Sequence, residues 1–311
     1  MNTKSTWLIS LFYLATCIAY GKDGSKLSSE DVLKVNQTSV CSYFYQSNVF
    51  APVNVTINAS AVGVLGGLVS GFSDSEAHKA RKKRLEPLLE PLKAYNPRDI
   101  FYPLLSNVVS QTSWLKAQGF EIKNCSDKGK VTQINRKEAA IFSKIQSYNV
   151  EPPENGAAIL NVGSSYDLQD DFSRLEFKTV CDFFLPGEYK KPAATIVLFS
   201  YSKKISDQTG EKLMLLWMTN NAVLFREAME DIVKSNIKLA STGLSVMGGK
   251  IFENDFPQAK IEGWRIPGYV LEEDANYVSF LIKADNRGNY FSYPSRDIKK
   301  RAILSKKKPE N

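Results

Sequence analysis

Side chains that could do chemistry are few and scattered in this chain. It carries one histidine, His78, set beside Lys79, Arg81, Lys82, Lys83 and Arg84. A Ser-His-Asp relay or a multi-histidine metal site would depend wholly on that residue. Among lysines on an expected helix surface it reads as an exposed polar side chain. Cys41, Cys125 and Cys181 lie too far apart for zinc-ligand spacing, and none sits in a thiol-nucleophile motif. Each reads as buried or bridged; one pair can close in an oxidising compartment, and the spacing favours no particular pair. The carboxylate pairs Asp170–Asp171 and Glu272–Glu273 fall in expected turns, where such pairs are solvated. A glycosidase-type pair is defined in three dimensions and is not placed by sequence. No G-x-S-x-G elbow occurs.

Small residues recur every fourth position at Ala59, Gly63, Gly67 and Gly71 in "ASAVGVLGGLVSGF". A nucleotide-binding loop would need lysine and then Ser or Thr after its last glycine, to reach phosphate and magnesium. Here Phe72 and Ser73 follow, so phosphate chemistry is set aside. The spacing suits close helix packing of the kind seen in bilayers. The run is too short to span one, since about 13 residues stand where about 20 are needed. Gly63, Gly67 and Gly71 are therefore expected to pack against a membrane or partner, or to form a close-packed strand-to-helix connection. Arg81, Lys82, Lys83 and Arg84 are candidates for lipid-headgroup contact. The alternative for them is a solvated helix face paired with Glu76, Glu86 and Glu90.

The elements that must hold these residues follow from periodicity. "VNVTINAS" at 53–60 alternates as a half-buried strand. Ser73 and Glu76 form a capping box for a helix whose stripe is Leu85, Leu88, Leu89 and Leu92, kinked near Pro87. "NPRD" at 96–99 opens a second helix, with Asn96 as cap, Phe101, Leu104, Leu105, Val108 and Leu115 inward, and Gly119 at its end. A shorter helix is expected over about 136–147. The period then changes. "AAILNVGSSYDL", "RLEFKTVCDFFLP" and "ATIVLFSYSK" read as three strands of an antiparallel meander. An amphipathic helix is expected over 220–241, with Phe225, Met229, Ile232 and Val233 inward and Gly243 as its stop. Residues 244–268 read as a connection. "NYVSFLIKAD" and "NYFSYPS" make a closing hairpin in which Gly288 supplies the turn.

The N-terminus supplies the compartment. Lys4 precedes an apolar run from Trp7 to Ala19, the pattern of a secretory signal peptide. Cleavage after Ala19 is the leading expectation. "LATC" at 14–17 offers an alternative, a lipobox with Cys17 lipidated, though Thr16 fits that motif poorly. An uncleaved anchor is the third reading. The +7 net charge resides mostly in the tail "RDIKKRAILSKKKPEN", and the rest of the chain is nearly neutral. A tail of this kind is usually a solvated terminus. Nucleic acid is not an expected partner for an exported chain. Apolar content of 43% and charged content of 23% are globular values.

Three stretches carry a resemblance: "GVLGGLVSGFSDSEAHKARKKRLEPLLEPLKAYNPRDIFYPLL", "YDLQDDFSRLEFKTVCDFFLP" with "ATIVLFSYSKK", and "NRGNYFSYPS". In their order the chain resembles a family of proteobacterial envelope proteins and lipoproteins of unknown function. The resemblance implies compartment and architecture and no activity.

The expected class is α+β, an antiparallel sheet of meander and C-terminal hairpin with helices packed against it. Residues 1–19 form the signal peptide, 20–48 a polar leader and 49–150 the first strand, glycine-rich connection and helices. Residues 151–295 hold the antiparallel strands, amphipathic helix and hairpin, within one domain with 49–150, and 296–311 form the basic tail. The expected function is that of an exported envelope protein that binds a partner or lies against a membrane without catalysis and without a cofactor or metal. The alternative is an exported hydrolase using carboxylate or cysteine chemistry.

Overall fold

The computed structural model describes residues 24–44, 86–88, 90–117, 123–124, 153, 155–169, 172–206, 211–251, 255–261, 268–284, 287–298 and 300–302. The strand predicted at 53–60 and the helices predicted from Ser73 and over 136–147 lie outside or largely outside these residues.

Alternating apolar side chains build most of one sheet. In chain order the elements are α1 (Ser29–Lys34), β1 (Thr38–Phe44), α2 (Arg98–Gln111), β2 (Lys123–Asn124), β3 (Ala158–Leu168), β4 (Leu175–Phe184), β5 (Ala194–Tyr201), α3 (Glu211–Met247), β6 (Gln258–Ile261), β7 (Gly268–Glu273), β8 (Tyr277–Ala284), β9 (Arg287–Pro294) and β10 (Lys300–Ala302). Among the described residues ten strands lie in the order β10-β6-β7-β8-β9-β5-β4-β3-β1-β2. The meander β3-β4-β5 and the hairpin β8-β9 are antiparallel as expected. The sheet as a whole is mixed, which corrects the purely antiparallel reading. β1 runs parallel to both β2 and β3, and β5 runs parallel to β9. These pairings join strands far apart in sequence, so no hairpin turn announces them.

Alternation sends one set of side chains toward α2 and α3. Val40, Phe44, Leu160, Val162, Phe177, Phe183, Ile196, Leu198 and Tyr290 are buried there with Phe101, Leu105, Trp217, Phe225, Met229 and Ile232. Residues 24–44 belong to this core, since Leu27, Val35 and Val40 are buried in it. A loose polar leader over 20–48 is therefore overturned for the part described: β1 inserts between β2 and β3.

The long helix differs from its predicted bounds at both ends. α3 is two helical pieces, 211–218 and 223–247, joined where Asn220, Asn221 and Ala222 have φ of 52°, 57° and 59°. Three successive left-handed residues without a glycine are strained, at about 1–2 kcal/mol each. The bend lets Leu213 and Trp217 before it, and Phe225 and Met229 after it, reach the same core. Gly243 does not stop this helix. A Cβ there would stand 2.6 Å from Ile196 Cδ1, so glycine serves close approach of helix to sheet. The stop is Gly249, at φ 70°, whose N–H donates to Val246 O while Lys250 N–H donates to Ser245 O.

Three smaller expectations are also corrected. α2 ends at Gln111 rather than Gly119, and Leu115 is buried from the 3-10 turn Ser113–Leu115. Gly288 lies inside β9, opposite Lys283 and Ile196, rather than in the turn. Residues 244–268 contain strand β6.

Candidate functional site

The sequence-predicted contact residues Gly63, Gly67, Gly71, Arg81, Lys82, Lys83 and Arg84 lie outside the described residues, as do Cys17, His78 and Cys125. Among the ionisable candidates that are described, Glu272 and Glu273 stand on β7 rather than in a turn. Neighbours on a strand point to opposite faces. Glu272 lies 3.8 Å from Lys238 on the α3 side, and both carboxylates are exposed. They do not converge on one substrate position.

Cys181 is a thiol buried on the α3 face of β4. Burial, then the neighbouring Asp182 charge, holds that thiol far above its ordinary pKa. A thiolate nucleophile needs the opposite environment. Cys41, on β1, is disulfide-bonded. Among the described residues no group of three His, Cys, Asp or Glu side chains is placed to hold a metal.

Two polar and aromatic constellations remain, and both arise from a repeated tripeptide. Phe199-Ser200-Tyr201 in β5 and Phe291-Ser292-Tyr293 in β9 pair in parallel, with Phe199 opposite Phe291 and Ser200 opposite Ser292. Alternation turns both serines toward α3 and all four rings to the other face.

On the α3 side the serines enter a buried seam. Asn236, fully buried, accepts a 2.7 Å hydrogen bond from Thr179 Oγ1 and donates through Nδ2 to Ser200 Oγ at 3.3 Å and Phe177 O at 3.4 Å. Thr179 is 3.0 Å from Ser164 Oγ, and Ser235 bonds Ser292. Hydroxyls from β3, β4, β5 and β9 are thus tied to one turn of α3. Buried polar groups that are paired in this way fix helix register on the sheet and add little net stability.

On the opposite face Phe199 stacks on Phe291 with centroids 4.9 Å apart, and Tyr201 on Tyr293 at 4.2 Å. Lys178 Nζ lies 5.5 Å over the Phe199 ring. Burial, followed by the charge of Glu176, pushes the Tyr201 phenol far upward, and burial also raises Tyr293. Both phenols stay neutral donors at physiological pH. Below them Arg174 donates to Asp297 at 2.6 Å and to Ser202 O at 2.9 Å. Toward β3 the same face is closed by the chain itself, since Ile159, Asn161, Asp182 and Phe184 are buried there. The rings of this strip are buried or half-buried and packed against each other in stacked pairs.

Sequence reasoning passed over this strip. The available signal was the duplicate F-S-Y, each copy within an alternating strand. No helix among the described residues is long and apolar enough to cross a membrane. Comparison with protein-family models, with curated proteins and with solved structures finds no match to this chain.

Proposed function

We propose that this chain is an exported bacterial envelope protein that binds a partner or lies against a membrane without catalysing a reaction. The observation that carries the reading is the disulfide at Cys41, on a strand inside the sheet. Disulfides persist in oxidising compartments, which agrees with the secretory pattern over residues 1–19. The described ionisable groups also favour contact over turnover: Arg174 is spent on Asp297, and Cys181 is buried with a raised pKa. Cysteine chemistry at Cys181, one form of the rival hydrolase, has no support in that environment.

In this reading Gly63, Gly67 and Gly71 supply the packing surface, and Arg81, Lys82, Lys83 and Arg84 meet anionic headgroups. Cell fractionation tests it. The wild-type chain is expected to sediment with envelope membranes in processed form. Gly63→Leu with Gly67→Leu is expected to move most of it to the soluble exported fraction. Unchanged sedimentation of the double variant, or full-length product in the cytosol, refutes the proposal.

A further inference from the structure

We infer that the bend in α3 is a contact surface and that its occupant is a lipid bilayer; this names the partner for the membrane-apposed form of the function proposed above and rests on that reading. Four large apolar side chains are exposed among the described residues. Three of them, Leu215, Val223 and Leu224, flank this bend, and Leu215 is 64% exposed. Thr219, Asn220 and Asn221 between them are exposed as well. Residues 213–225 carry no charged side chain, in a chain that is 23% charged. Single exposed leucines are ordinary on a protein surface, whereas a local concentration of them marks a contact.

The bend is held from inside. Trp217 and Phe225 meet edge-on at 6.0 Å, and Trp217 Nε1–H donates to Phe172 O at 2.7 Å. Those contacts pin both arms and so fix the left-handed residues Asn220, Asn221 and Ala222; strained backbone persists only where its surroundings over-determine it. Leu215 stands one turn before the bend, its carbonyl accepting from Thr219 Oγ1 at 2.9 Å, and Val223 and Leu224 follow directly after it. A surface formed in advance loses little entropy on contact.

Two observations select lipid over a protein partner. Between 215 and 224 the exposed side chains are Leu, Val, Thr and Asn, whereas protein interfaces are anchored by Trp, Tyr and Arg. The described chain that follows the basic cluster is also seated at this bend. Arg226 Nη2 donates to Pro91 O at 2.8 Å, and the Tyr95 ring meets Phe225 edge-on at 6.4 Å. Glu86, where the described residues resume, is two positions after Arg84. Apolar side chains entering the interface beside basic ones is the combination that interfacial binding uses.

The test is flotation of the purified, processed chain with vesicles of phosphatidylethanolamine and phosphatidylglycerol, at low salt and at high salt, where charge attraction is screened. Wild type is expected to float with the vesicles in both. Leu215→Ser is expected to lower the partition coefficient about tenfold, and Leu215→Ser with Leu224→Ser about 30-fold, at either salt. Leu33→Ser removes a side chain that is 77% exposed on α1 and is expected to change nothing. Thermal midpoints and near-UV spectra equal to wild type show that these surface variants fold. Leu215→Trp is expected to bind more tightly and to add blue-shifted emission when vesicles are present.

Equal flotation of wild type and the double variant overturns the inference and leaves the membrane reading standing. An equal loss in Leu33→Ser also overturns it. If wild type fails to float yet sediments with envelope membranes from cells, the occupant is a protein: the inference falls, and the partner-binding form of the proposed function stands. If the chain self-associates and the double variant abolishes that without altering flotation, the bend belongs to a second copy and the inference falls.

Discussion

Exchanging the Asn236 amide for a carboxylate puts a measurable charge into the buried seam under α3. Asn236→Asp keeps the shape and replaces the NH2 that serves Ser200 and Phe177 O with an oxygen. Thr179 and Ser200 can still donate to it, but the Phe177 carbonyl then faces a second acceptor. The site is fully buried. Burial of this kind raises a carboxyl pKa by about 3 units, from about 3.9 unfolded to about 7 folded. Because the folded value is the higher one, the penalty is fully present above it and fades as pH falls toward the unfolded value. At pH 8 the charge is expected to cost about 4 kcal/mol, and at pH 4 less than about 1 kcal/mol. The lost donor adds about 1 kcal/mol at either pH. Urea unfolding read by tryptophan fluorescence, with wild type at each pH as reference, measures the difference. A penalty equal at pH 4 and pH 8 would refute the buried-seam reasoning.

Two further outcomes probe the packing. Gly248→Ala is expected to destabilise by about 1–3 kcal/mol, because its Cβ would stand 2.3–2.6 Å from the Trp114 ring. That ring cannot easily retreat: its Nε1–H donates to Leu244 O at 2.9 Å, and its plane meets Phe183 edge-on at 5.0 Å. An unaltered thermal midpoint and near-UV spectrum would show that the contact is not tight. Cys181, buried with its thiol pushed well above the usual range, should resist iodoacetamide at pH 8 in native protein and react in urea. Equal native and unfolded labelling rates would place it at the surface instead.

Local signals were legible where one residue's neighbours decide its state. The alternation of "AAILNVGSSYDL" and "ATIVLFSYSK" predicted β3 and β5 to within a few residues. The stripe Phe225, Met229, Ile232 and Val233 is buried as its spacing implies. Glycine roles were harder to read. Gly243 and Gly249 are both compatible with a helix end, and only the nearness of Ile196 and the positive φ of Gly249 separate packing from capping. Gly288 resembles a turn residue until its place inside β9, opposite Ile196, is known. The candidate site was legible only in part. The duplicate F-S-Y is visible in the chain, but its meaning depends on two strands separated by α3 meeting in parallel register.

By itself the amino-acid sequence determined the α+β class, the meander, the final hairpin and the inward face of the main helix, because side-chain period and turn chemistry act over a few residues. Tertiary structure alone decided that β1 enters the sheet, that β5 adjoins β9, and that Cys41 and Cys181 point to opposite faces. Those outcomes rest on contacts between distant segments, and no local periodicity encodes which distant strand a hydrogen-bonding edge will meet.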